Sequence, residues 1–145
     1  MDKAQRELIA SYLEKARGKL RVARDLMARG EWDDAVSRAY YAAFHAAQAV
    51  LLTEGQHADT HQGVLTLFSL LLVKTGKFDR KWARAFANLK DDRESGDYDA
   101  LSWLDEAAAN RAVEEAAGFL DAVNTYVARQ IENTGSPGPP AGSEG

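Results

Sequence analysis

The sequence contains no cysteine, and its three prolines lie at positions 137, 139 and 140. Without cysteine the chain has no disulfides and no thiolate metal ligands, which is usual in a reducing compartment. Residues 1–136 therefore lack proline, the residue that disrupts helices most strongly. No apolar run approaches the roughly 20 residues of a membrane-spanning helix, and the N-terminus has no apolar segment of a secretory signal. A cytoplasmic protein without membrane contact is expected.

Apolar residues recur along the proline-free part at the spacing of helices. Helices are predicted at about residues 3–28, 33–53, 60–76, 79–90 and 105–131. The second is apolar almost all round and rich in alanine, which predicts a central, buried helix.

The polar segment 91–99 contains a glycine and is predicted to be a loop or a frayed helix end. The predicted fold is all-α, an antiparallel up-and-down bundle of four to five helices over residues 1–132. Residues 133–145 are predicted to form a disordered tail of glycine, proline and serine.

The net charge of -4 conceals an uneven distribution of charge along the chain. Residues 1–93 carry 16 Lys and Arg against 12 Asp and Glu, whereas residues 94–145 carry 2 against 10. The basic residues cluster in the first helix and between positions 74 and 93. Such clusters bind phosphate groups in many proteins, although solvated helix faces show the same pattern.

The predicted central helix carries four polar residues, Arg38, Tyr41, His45 and Gln48, which we call the polar strip. Their spacing of three, four and three places them on one helix face. Polar groups on a buried helix need partners, because burying them unpaired costs free energy. The strip is therefore either part of an internal hydrogen-bonded network or dimer contact, or a surface that binds a ligand or RNA.

A second candidate site consists of Arg93, Asp97 and Tyr98. Cleavage of a phosphodiester needs a cation that stabilises the charged phosphorane and a base that activates the ribose 2′-hydroxyl. Asp is a weaker proton acceptor than His near neutral pH, because its ordinary pKa is about 3.9. The alternative is a solvated loop with a surface Arg–Asp pair.

His57 and His61 are separated by four positions, a spacing that occurs in metal sites. The residues between them are predicted to form a loop and a helix cap rather than one helix face. We therefore expect neither a metal nor a cofactor, and predict that His61 hydrogen-bonds to a neighbouring turn.

Three segments together resemble the HEPN family, in its stand-alone prokaryotic branch. They are residues 37–47 (SRAYYAAFHAA), residues 60–76 with THQGV, Phe68 and VKTG, and residues 93–98 (RESGDY). The resemblance covers about residues 4–130. It implies an antiparallel helical bundle that commonly forms a homodimer and acts in RNA metabolism. Many relatives are metal-independent ribonucleases, often toxins that a minimal nucleotidyltransferase partner neutralises.

Active members of the family carry Arg, four to six further residues, and then His at the dimer cleft. Here Arg93 matches the arginine, whereas no histidine follows it, and Asp97 and Tyr98 occupy the intervening positions. The resemblance thus implies that Arg93 stabilises the phosphorane and that His45 or His61 supplies the proton carrier if the protein cleaves RNA. Tyr98 lies near the position of a tyrosine that is adenylylated in toxin relatives.

The preferred hypothesis is a homodimer that binds nucleotide or RNA without cleaving it and that partners a minimal nucleotidyltransferase. The predicted contacts are Arg38, Tyr41, His45, His61 and Lys74. One alternative is a metal-independent endoribonuclease toxin, and another is a structural bundle with no role in nucleic-acid binding.

Overall fold

The structure, a computed structural model, describes residues 1–98 and 104–135. Its helices are α1 (Lys3–Ala28), α2 (Trp32–Leu52), α3 (His61–Phe68), α4 (Arg80–Tyr98) and α5 (Glu106–Gly135). A π-helical segment, Ser69–Val73, continues α3. The described residues form no strand. The prediction of an all-α bundle is confirmed.

Capping residues determine where the helices begin. Asp2 Oδ1 accepts a hydrogen bond from Gln5 N at 2.7 Å at the start of α1. Thr60 Oγ1 accepts one from Gly63 N at 2.9 Å at the start of α3, as predicted. Each bond satisfies an amide that has no partner within the helix. The cap at Thr60 fixes where α3 starts, and therefore fixes the position of His61.

The core is built around α2, which packs against α1, α4 and α5. Its buried alanines let the neighbouring backbones approach closely, as the sequence predicts. Four aromatic side chains that are fully buried fill the space between the helices: Tyr40, Phe68, Phe86 and Phe119. The rings of Tyr40 and Phe86 lie 5.9 Å apart. Tyr40 of α2 therefore packs in the same core as Phe86 of α4.

The segment that follows Lys90 is helical as far as Tyr98, so the loop alternative of the prediction for residues 91–99 is wrong. The helix α4 continues to Tyr98, and Lys90 Nζ bonds to Glu94 Oε2 at 2.9 Å across one helical turn. Arg93 packs in addition against two tyrosine rings of α2. These contacts outweigh the polar composition of the segment.

The last helix, α5, continues to Gly135, three residues past the predicted domain boundary. Residues 136–145 lie outside the described residues, and the disorder of the tail stays a prediction. None of the described helices combines the length and apolar character that crossing a membrane requires.

Candidate functional site

Arg93 lies on α4 opposite two adjacent tyrosines of α2. Its Cζ atom is 5.5 Å from the ring centroid of Tyr40 and 5.0 Å from that of Tyr41. A guanidinium this close to aromatic faces is attracted by their negative potential. The contacts restrict the side chain, which is half-buried, to a defined position at the surface of α2.

His61, the first residue of α3, contacts the same tyrosines. Its Nδ1 atom is 2.9 Å from the hydroxyl oxygen of Tyr40, and its ring centroid is 4.5 Å from that of Phe44. Tyr40 is fully buried, so its hydroxyl needs a partner inside the protein, and His61 provides it. The prediction that His61 bonds to a neighbouring turn is wrong, because its partner is the side chain of Tyr40 in α2.

Burial and neighbouring positive charges favour the neutral form of His61. Burial, followed by the positive charges of Arg93 and Lys90, lowers the pKa of His61 below its ordinary value of 6.5. The hydrogen bond from Lys90 is the main cause that lowers the pKa of Glu94, and the positive charges of Lys90 and Arg93 act in the same direction. These four side chains and Tyr40 form one interacting group, which we call the Arg93 site.

The Arg93 site combines two chemical capacities. A guanidinium with planar N–H donors suits the oxygens of a phosphate group. A neutral imidazole accepts a proton near pH 7, which a protonated one does not do. The site therefore has the groups needed to bind a phosphodiester and to take up a proton beside it.

The residues of the polar strip on α2 lie in two different environments. Tyr41 lies beneath Arg93, whereas His45 Nδ1 is 2.9 Å from Gln48 Oε1. The His45 ring stacks at 6.3 Å on Tyr12 of α1. Arg38 is exposed at the N-terminal end of the strip.

Basic residues flank the strip on the side of α1. Lys15 and Lys19 line a shallow cavity together with His45. Burial is the first cause that lowers the pKa of His45, and the charges of these two lysines lower it further. The strip therefore runs between lysines of α1 on one side and Arg93 with Lys90 of α4 on the other.

The remaining predicted residues are not gathered at the Arg93 site. Lys74 follows the π-helical segment and lines a separate open groove between α3 and α4 with Arg80 and Arg84. Asp97 and Tyr98 lie in the last turn of α4, and their side chains are outside the described residues. Their predicted roles stay predictions.

Tyr40, Lys90 and Glu94 belong to the site but are absent from the residues predicted from the sequence. The sequence signal for Tyr40 is that a tyrosine hydroxyl on a buried helix needs a partner. Arg93 and Glu94 follow Lys90 by three and four positions, which places the three residues on one helix face only if α4 continues past residue 90. A predicted helix that extended past residue 90 would have grouped Lys90 and Glu94 with Arg93.

Comparison with known proteins now decides the family. A family model of the HEPN domain matches residues 9–126. The chain belongs to the HEPN family. The resemblance found in the sequence is thereby confirmed.

Two relatives match this HEPN chain over most of its length. A UPF0332 protein of Thermotoga maritima is 32% identical over 83% of this chain and 92% of its own. The protein named "Putative toxin MJ0605" of Methanocaldococcus jannaschii is 33% identical over 85% of this chain and 91% of its own.

A solved structure shows the same fold. The crystal structure of TT1696 from Thermus thermophilus superposes on this HEPN protein with a TM-score of 0.70, at 23% sequence identity. The match covers 81% of this chain and 97% of the other. The bundle is therefore seen in an experimental structure.

The lowered pKa of His61 predicts how the stability of this HEPN protein depends on pH. The unfolded chain binds more protons than the folded one near pH 6, so stability falls as the pH decreases through that range. The variant His61→Gln removes this titration and keeps a side chain that can bond to Tyr40. From about pH 7.5 to about pH 5.5, the melting temperature of the wild type is expected to fall further than that of the variant.

Thermal denaturation of both proteins across this pH range measures the difference. His45 also has a lowered pKa, but it titrates in both proteins and cancels in the comparison. An equal decrease in the two proteins would contradict the environment assigned to His61.

Proposed function

We propose that this HEPN protein is a homodimeric RNA-binding protein of the toxin type that holds a backbone phosphate at the Arg93 site and partners a minimal nucleotidyltransferase. The observation that carries the proposal is the placement of Arg93 against Tyr40 and Tyr41, beside a neutral His61. The family membership and the names of the relatives support the toxin-type assignment.

The charge around the polar strip supports RNA rather than an isolated anion as the ligand. Arg93 and Lys90 lie on one side of the strip, and Lys15 and Lys19 lie on the other. A single-stranded RNA carries phosphates at regular intervals and bases with flat faces. Grooves that bind it combine positive charge along the backbone with aromatic rings on which bases stack. The half-buried ring of Tyr41 lies between the two basic edges.

RNA binding is tested directly with a fluorescein-labelled oligoribonucleotide of mixed sequence, in EDTA, by fluorescence anisotropy. Because phosphate contacts release counterions, the affinity is expected to fall steeply between about 50 mM and about 200 mM salt. An absence of binding at the lower salt concentration would overturn the proposal.

The proposed partners are tested separately. Light scattering on the purified protein is expected to give the mass of two chains. A tagged chain is expected to retain a minimal nucleotidyltransferase that is co-expressed with it. A monomer that retains no such protein would remove this part of the proposal.

Cleavage of RNA is a second candidate function, favoured by the neutral His61 close to Arg93. When Nδ1–H of His61 donates to the Tyr40 hydroxyl, the lone pair of Nε2 is available to accept a proton. The ribose 2′-oxygen would lose its proton to Nε2 and attack phosphorus. The 5′-oxygen would then take a proton from solvent and leave as a hydroxyl with a 2′,3′-cyclic phosphate remaining, while Arg93 stabilises the phosphorane.

Incubation of RNA with the protein in EDTA distinguishes cleavage from binding. Cleavage that is lost in His61→Asn and Arg93→Ala but kept in Arg129→Ala would establish the second function. Arg129 is the control because it is an exposed arginine on a different helix, α5. Intact RNA would exclude cleavage and leave binding as the function.

A further inference from the structure

A cavity of about 380 Å³ lies next to the Arg93 site, between α1, α2 and the loop before α3. His61 lines this cavity and also bonds to Tyr40 of the Arg93 site. Phe44 and Tyr12 contribute aromatic surface, Gln48 contributes an amide, and Leu8 and His57 lie at its exposed edge. The hypotheses drawn from the sequence assign no role to this cavity.

We infer that the cavity binds one unstacked nucleobase of an RNA whose adjoining phosphate is held by the Arg93 site. The inference rests on the proposed function, since the phosphate contact orients the nucleotide. It adds a place for the base, whose lining residues lie outside the Arg93 site except for His61.

The lining of the cavity has the chemistry that recognises a base. Proteins that bind single-stranded RNA stack unpaired bases on aromatic side chains and hydrogen-bond to their edges. Phe44 is only 8% exposed, and its packed ring gives a rigid apolar wall. Gln48 Oε1 bonds to His45 Nδ1 at 2.9 Å, which holds the amide plane and leaves its NH₂ group to donate to the acceptors of a base edge.

The size and position of the cavity suit a single nucleoside. Its volume is at the lower end of the range for small-molecule sites, about 300–1,000 Å³. The ring of His61 is 4.5 Å from Phe44 on the cavity side and 5.5 Å from Tyr40 on the other. Arg93 lies over that second ring. The base and the phosphate would thus occupy neighbouring positions on either side of His61.

Nucleosides without phosphate test the cavity independently of Arg93. Adenosine, guanosine, cytidine and uridine are titrated into ¹⁵N-labelled protein, and the amide signals of Leu8, Gln48 and Ala58 are followed. At least one nucleoside is expected to shift them. The shifts should persist in Arg93→Ala, because that variant removes the proposed phosphate contact and Arg93 does not line the cavity.

A matched pair of variants localises the effect. Leu8 at the cavity edge is 48% exposed, and Leu70 on the π-helical segment is 45% exposed. Neither side chain is part of the core, so both tryptophan variants are expected to fold. We expect Leu8→Trp to abolish the nucleoside shifts, and Leu70→Trp to keep them.

An oligoribonucleotide with one abasic residue gives the second measurement. Losing one stacked base is expected to weaken binding to the wild type by about tenfold. A third strand, of the same length and abasic throughout, has no base for the cavity. Its affinity should therefore be equal in the wild type and in Leu8→Trp.

The outcomes separate this inference from the proposed function. If RNA binds through Arg93 but nucleosides leave the cavity signals unchanged, the inference is overturned and the proposed function stands. If nucleosides shift these signals but RNA does not bind, the cavity site stands and the proposed function fails. If indole shifts them as strongly as every nucleoside, the cavity takes an apolar side chain of a protein partner, and the inference is overturned.

Discussion

Replacing Arg93 by alanine is expected to lower the affinity for RNA by about 10- to 100-fold. A hydrogen bond to a charged group contributes about 1.5–3 kcal/mol, and each 1.4 kcal/mol corresponds to about a factor of ten in affinity. The guanidinium is held by the rings of Tyr40 and Tyr41 at 5.5 and 5.0 Å. Little side-chain entropy is therefore lost when a phosphate binds to it.

Two further variants make the measurement specific. Arg129→Ala removes the same charge from an exposed position on α5, in a groove that it lines with Tyr126. It is expected to leave the affinity almost unchanged. Arg93→Lys keeps the charge but loses the planar donors, so an intermediate affinity is expected. Equal losses in Arg93→Ala and Arg129→Ala, measured by anisotropy, would show that only net charge matters.

Replacing Phe86 by alanine is expected to destabilise the fold by about 3–5 kcal/mol. Phe86 is fully buried, and its ring lies 5.9 Å from Tyr40 and 5.6 Å from Phe119. Its removal would leave a cavity beneath the tyrosine that supports both Arg93 and His61. Because a domain is stable by about 5–15 kcal/mol in total, the loss would be a large fraction of its stability.

Urea denaturation followed by circular dichroism measures this loss. Phe86→Leu keeps most of the apolar volume and is expected to cost much less than Phe86→Ala. At temperatures where Phe86→Ala remains folded, its affinity for RNA is also expected to be lower, because Tyr40 is no longer packed from below. A loss of less than about 1 kcal/mol in Phe86→Ala would contradict the packing described for the core.

The helices were predictable from the sequence because their signals are local. The bounds of α1 agree with the prediction, and Thr60 caps α3 as predicted. Spacing of apolar residues and capping side chains act within one or two turns, so a single sequence contains them.

The end of α4 was not predictable from local signals. Gly96 reads as a helix-ending residue, but it lies inside α4. A Cβ atom there would lie 3.0 Å from Leu104 Cδ1 and 3.4 Å from the carboxyl group of Asp33. Glycine at this position permits close packing between elements that are distant in sequence, and this packing is visible only in the folded chain.

The candidate site was predicted in part for the same reason. The sequence identified Arg93 and left His45 and His61 as alternative proton carriers. The contacts of Tyr40 decide between the two histidines. Its side chain contacts His61 of α3 and Arg93 of α4, and these residues are far apart in the sequence. In the structure His61 lies at the Arg93 site, whereas His45 faces α1.

The central claim, that a phosphate binds beside Arg93 and His61, is tested most directly by the pKa of the His61 imidazole. NMR gives this pKa with and without a short oligoribonucleotide, in the wild type and in Arg93→Ala. A bound phosphate adds negative charge next to the ring. Adding the RNA should therefore raise the pKa of His61 in the wild type, and should leave the pKa of His61 in Arg93→Ala unchanged. A His61 pKa that does not change while RNA is bound would contradict the account.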